Sequence, residues 1–187
     1  MKHIIKLLLS GILLLSFGNS QAQNIEKQIK EATIALPEEL REGATVMGYG
    51  TNGELSIIKK GTNDQICLAD DPTKKGFQVS CYHKDLEPFM ARGRELQKEK
   101  KTNQEIFDIR ESEAKSGKLE MPKNASTLHI FYGENAEKGN YRYVVYIPWA
   151  TPETTGLPLK PMVSGGPWIM DPGTHRAHIM ISPPNSN

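Results

Sequence analysis

His83, Asp171 and His178 carry the side chains from which an acid–base or metal site is most readily built. Asp171 and His178 are close in sequence and His83 is distant, so a shared site requires the fold to join them. His175 and His178 also form His-x-x-His. On a helix that spacing puts both rings on one side, and on a strand it puts them on opposite faces. Asp171-Pro172-Gly173 before the pair and Ile179-Met180-Ile181 after it predict a loop running into a strand. That argues against paired metal ligands. It leaves His175 exposed to solvent and His178 hydrogen-bonded within a sheet.

A second group of polar residues, His83, Glu87, Arg92 and Arg94, surrounds the start of a predicted helix. Glu87 falls in the first turn, where the helix dipole favours an anion. Two readings stand side by side. One is capping with a local ion pair. The other is a polar pocket in which His83 acts as a base and an arginine such as Arg92 holds an acidic ligand. Tyr146 and Trp168, with Tyr143 and Trp149, could line a groove. Trp168 is the ring expected to meet a ligand, because it sits among glycines and prolines where no regular core position obliges it.

Cys67 and Cys81 lie on two β-like runs centred on one loop, as cross-strand partners would. A disulfide is expected, with two buried thiols or a Cys-x-His metal site using His83 as the alternatives. Gly48-Tyr49-Gly50-Thr51-Asn52-Gly53 matches a dinucleotide fingerprint by letter, but a β-like run follows it where a helix is required. It reads as a hairpin turn, with positive φ available to both Asn52 and Gly53. Ser164 in Ser-Gly-Gly-Pro has Val163 before it and no matching histidine motif, so it reads as a loop residue. No motif predicts a cofactor.

The elements that must position these groups follow from periodicity. Lys2, His3 and Lys6, the apolar run Leu7–Phe17 and Ser20-Gln21-Ala22 have the layout of a secretory signal peptide over residues 1–22. The apolar run is shorter than a membrane span, and no second long one follows, so no span is expected after the leader is removed. Residues 23–43 read as a helical N-terminal arm, loosely tethered at first. Residues 44–187 read as one domain. In it, β runs at 44–59, 65–69 and 77–82 precede two helices. Asp85 is expected to cap the first helix. A Thr102-x-x-Glu105 capping box opens the second, and Gly117 ends it. The second helix carries only a thin apolar stripe of Ile106, Ile109 and Ala114 and is expected on the surface. Strands at 127–132 and 141–147 follow, the latter apolar or aromatic on both faces and therefore central. A long Pro/Gly-rich loop leads to a last strand at 177–181. This order predicts an α+β fold, a mostly antiparallel sheet with two central helices.

Composition narrows the function. With 23 Lys+Arg against 22 Asp+Glu in 187 residues, the chain lacks the basic excess of a dedicated nucleic-acid binder. Two cysteines exclude both a disulfide-dense scaffold and a four-cysteine zinc site.

Two stretches carry a resemblance. One is Cys67-Leu68-Ala69-Asp70-Asp71-Pro72 with the segment Cys81 to Gly93. The other is Tyr143 to Pro148 with Pro167 to Thr174 and Ala177-His178-Ile179-Met180. Together they resemble an uncharacterised family of secreted bacterial proteins. The resemblance implies one secreted domain and brings no activity, cofactor or catalytic residue.

The expectation is therefore a periplasmic or secreted protein. Its leading reading is a non-enzymatic domain that binds a small molecule or an envelope component. The alternative is a small hydrolase or metal-dependent enzyme using His83, Asp171 and His178.

Overall fold

In a computed structural model, residues 24–184 are described; the expected leader at 1–22 lies outside the described residues. Eight strands form one sheet in the order β2-β1-β3-β4-β5-β6-β8-β7. Their ranges are β1 Thr45–Tyr49, β2 Leu55–Lys59, β3 Gln65–Leu68, β4 Phe77–His83, β5 Ser126–Gly133, β6 Gly139–Tyr146, β7 Trp168–Met170 and β8 His178–Ile181. Every neighbouring pair is antiparallel except β1 with β3. The fold is α+β, as the element order predicts.

Side chains alternate across the sheet, and the two faces are covered by different parts of the chain. On one face Val46, Cys67, Val79, Cys81 and Phe131 pack beneath Ala32, Ala35 and Leu36. Those three belong to a helical arm: α1 (residues 24–32), a 3-10 turn Thr33–Ala35, and the short α2 (Glu38–Arg41). The arm is not loosely tethered. Ala32, Ala35 and Leu36 are buried, and Gln28 clamps the end of β1 by accepting from the Tyr49 amide and donating to its carbonyl.

On the other face Tyr82, Leu128, Val144 and Tyr146 pack beneath Leu86 and Phe89. Here lie α3 (Glu87–Lys98) and α4 (Asn103–Lys115). Thr102 and Glu105 form the expected capping box on α4, and Gly117 follows its end at φ 75°. The cap before α3 differs from expectation. His83, not Asp85, supplies it: its Nδ1 accepts from the Asp85 amide and closes a 3-10 turn, Lys84–Leu86. Leu86 then leads into α3 without a side-chain cap. A histidine nitrogen can do this because the turn brings the amide two residues on back toward the ring.

Cys67 and Cys81 face each other directly in the β3–β4 ladder and are joined by a disulfide, with Cα atoms 4.0 Å apart. In the first hairpin only Gly53 takes positive φ, 74°, while Asn52 turns its side chain to accept from the Glu54 amide. The segment between β2 and β3 crosses the chain that leads into β1. Gly61 sits on that crossing, where an added Cβ would lie 2.3 Å from the Thr45 nitrogen. Thr62 and Asn63 both donate to the Gly43 carbonyl there.

Two other expectations change. β6 is internal to the sheet, but Tyr141 on one of its faces is 38% exposed, so a central position does not fully cover both faces. The Pro/Gly-rich stretch contains a helical turn, α5 (Pro152–Thr155), and the edge strand β7. Trp168 is therefore a strand residue paired with Met180, not a loop residue.

Candidate functional site

Helix α4 buries three residues: Ile106, Arg110 and Glu113. Two of the three are charged, which is why an apolar stripe alone makes the helix look like a surface element. Glu113 receives a two-pronged ion pair from Arg92 of α3, at 2.8 and 2.9 Å, and a third contact from Lys118 at 3.0 Å. Arg92 is thus committed to fastening α3 to α4.

Arg110 has no such partner. It is 8% exposed, and among the described residues its only hydrogen bond runs from Nη1 to the Phe89 carbonyl, 3.3 Å away. Its Nε is buried and unpartnered. The guanidinium lies over the Phe89 ring, 4.0 Å from the ring centre. Burial brings its pKa down from 12.5 to about 10, so it remains a cation at neutral pH. A buried cation without a counter-ion is costly, and proteins seldom keep one without a use.

Arg110 lines a cleft of about 600 Å³ between α3, α4 and the sheet, a size suited to a small molecule. The floor is Leu68, Ser80, Tyr82, Leu128 and Ile130, and two further arginines, Arg94 and Arg176, reach the walls. None of the lining residues is acidic. Arg94 is held from behind by Glu87 at 2.6 Å and by the Tyr82 hydroxyl at 3.0 Å. The same hydroxyl donates to Glu87 at 2.5 Å, and burial followed by this carboxylate pushes the Tyr82 pKa well above its ordinary value. Arg176 is held by Asp171 at 2.7 Å.

The turn between β7 and β8 brings Arg176 to the cleft, and His175 anchors that turn. His175 is fully buried, not exposed, with its ring 4.9 Å from Phe107 and 5.7 Å from Phe89. Its Nδ1 is 2.5 Å from Oε2 of Glu111, which also accepts from the His175 amide at 2.9 Å. Burial pushes the His175 pKa down and outweighs the pull of Glu111, so the ring is neutral and donates from Nδ1. Burial also opposes ionisation of Glu111, but bonds from Lys115 and His175 prevail and hold it at about 2.

The candidate acid–base residues separate into two places. Asp171 and His178 belong to the β7–β8 hairpin. His178 is buried, rests 5.1 Å from the Tyr146 ring, and has Nδ1 2.7 Å from the Arg176 carbonyl. Burial lowers its pKa. His83 is elsewhere, between Asp85 at 3.4 Å and Asp64 at 3.8 Å. The register from β4 through β5 and β6 to β8 sets it about 14 Å from His178, three strand spacings away. His83 also shares the side of β4 that carries Cys81, while His178 pairs on the side that carries Tyr146. The three do not come together. Among the described residues no cluster of three or more His, Cys, Asp or Glu could hold a metal ion.

His175 and His178 both turn toward the helices, contrary to the opposite-face expectation. The strand alternation does not apply, because β8 begins at His178 and His175 still lies in the turn. Tyr143 and Tyr146 lie on opposite faces of β6, so the four aromatic residues do not share a groove. Trp149 stands apart, 39% exposed, with Lys115 over its ring at 5.9 Å.

The sequence reading omits Arg110, Glu111 and Arg176. A signal for Arg110 existed in the helical spacing of Ile106, Arg110 and Glu113, but only once charged residues are admitted to an inward face. No family model, curated protein or solved structure matches the chain.

Proposed function

We propose that this is an exported, non-enzymatic binding domain whose cleft between α3, α4 and the sheet holds a small anionic molecule. The observation that carries the reading is Arg110, a buried guanidinium with no carboxylate partner, in a cleft lined by three arginines and no acid. A bound anion would supply the missing counter-charge in a low-dielectric setting, where such a pair is strong. Arg94 and Arg176, each neutralised by a carboxylate behind it, would stay at the wall and leave Arg110 as the uncompensated charge. Export is supported by the signal-like leader and by the disulfide, which suits an oxidising compartment. No described helix is long and apolar enough to cross a membrane.

The enzyme alternative needs His83 beside Asp171 and His178, and their placement on different strands and faces gives it no support. Titration calorimetry on the purified, oxidised protein tests the proposal. A set of small carboxylates and inorganic phosphate should include at least one saturable ligand with one site per chain, and Arg110→Met should abolish it. Failure of every anion to bind would reject the proposal.

A further inference from the structure

The charge count of the cleft narrows its ligand, given the anion-binding reading on which this inference rests. Arg94 is neutralised by Glu87 and Arg176 by Asp171. Arg110 alone is left without a counter-ion, so the cleft has one positive charge to offer. That suits a singly charged head better than a dianion. The guanidinium also presents a defined donor. Nη1 is engaged by the Phe89 carbonyl and Nε is sealed from solvent, which leaves Nη2 as the donor open to a ligand. A charge-assisted bond from that nitrogen suits a carboxylate oxygen.

The rest of the cleft is mixed. Alongside uncharged polar groups such as Gln78 and Asn103, the apolar side chains of Leu68 of β3, Ile130 and Leu128 of β5, Met90 of α3 and Ile106 of α4 all face it. Leu68 and Ile130 pair with Ser80 from opposite sides, so these apolar side chains flank a middle strand that presents Gln78, Ser80 and Tyr82. At about 4.8 Å per strand they stand about 10 Å apart, the length of a medium hydrocarbon chain.

We infer that the ligand is an amphipathic monocarboxylic acid, with its carboxylate on the Arg110 guanidinium and its hydrocarbon chain against Leu68, Leu128 and Ile130. A fatty acid and a shorter branched acid would satisfy the same chemistry, and chain length separates them.

The test is calorimetry on the oxidised protein with acetate, hexanoate, octanoate, decanoate, decanol and inorganic phosphate, each below its aggregation limit. The Kd should fall about two- to fourfold per added methylene as apolar surface is buried. Decanol should bind at least tenfold more weakly than decanoate, and phosphate more weakly than hexanoate. Ile130→Gln should flatten the dependence on chain length while leaving the preference for an acid over an alcohol. Arg110→Met, checked for folding by circular dichroism, should remove that preference. If it does not fold, the comparison of acid with alcohol and the Ile130 variant still decide. Phosphate or acetate binding as tightly as decanoate would overturn the inference while leaving an anion site in place. Loss of all binding across the set would instead reject the anion site itself. Non-saturable uptake of several decanoates per chain would also overturn the inference.

Discussion

Arg110 of α4 fills the space that a side chain on Gly93 of α3 would need: a Cβ built on Gly93 would stand 3.0 Å from Nη1 of Arg110. Gly93 is in the middle of a helix, where glycine costs about 1 kcal/mol relative to alanine. Its place there lets a charged side chain pass between two packed helices. Gly93→Ala should therefore push the guanidinium aside while improving the intrinsic helix preference. Stability in urea is expected to change by less than about 1 kcal/mol, and anion affinity by calorimetry to fall about tenfold. An unchanged affinity would show that Arg110 does not hold the ligand.

The Glu111–His175 contact makes stability depend on pH. Both folded-state pKa values are lowered, so the unfolded chain binds more protons and acid favours unfolding. His175 and His178 are kept neutral by burial, so the loss begins as pH falls below their ordinary value of 6.5. Arg110 and Arg176 reinforce it for His175 by repelling a proton there. Glu111 adds a second loss between its ordinary 4.5 and about 2, worth up to roughly 3 kcal/mol. Urea midpoints measured from pH 8 to pH 3 should show both phases. In Glu111→Gln the acidic phase should shrink, and stability at pH 7 should already be lower.

Removing the disulfide should weaken the arm-covered half of the sheet. The bridge spans a sequence separation of 14, for which the chain-entropy relation gives about 3 kcal/mol. Cys67→Ala with Cys81→Ala, or reduction in mild denaturant, should lower the unfolding free energy by roughly that amount. Equal midpoints for oxidised and reduced protein would contradict this.

His83→Ala separates a cap from a catalyst. The residue closes a 3-10 turn before α3 and is distant from Asp171 and His178. A cost of about 0.5–1 kcal/mol in stability is expected, with anion affinity unchanged. A large loss of binding with stability intact would return His83 to the functional site.

The parts of this fold that were legible in the sequence rest on local chemistry. Thr102 and Glu105 cap a helix three residues apart, and Cys67 and Cys81 flank one loop. Such pairs report their geometry through spacing. The cleft depends on distant partners. His175 is buried by Glu111, Phe89 and Phe107, helix residues of which the nearest in sequence precedes it by 64 positions. Arg110 looks like any solvent-facing arginine until α3 is laid beside it with a glycine opposite. Alternation failed at His175 and His178 because a turn, not a strand, carries the first of them.

The crossing at Gly61 gives the first three strands an order of assembly. The strand β1 lies between β2 and β3, and the link between those two strands passes over the chain leading into it, bonded through Thr62 and Asn63 to Gly43. With the link closed down on the approach to β1, release of β1 is expected to require the link to lift, so the edge hairpin is expected to open as a latch rather than by fraying from its tip. In native-state hydrogen exchange, the amides of Thr62 and Asn63 should persist longer than those at the Asn52-Gly53 turn, marking the last clasp to release.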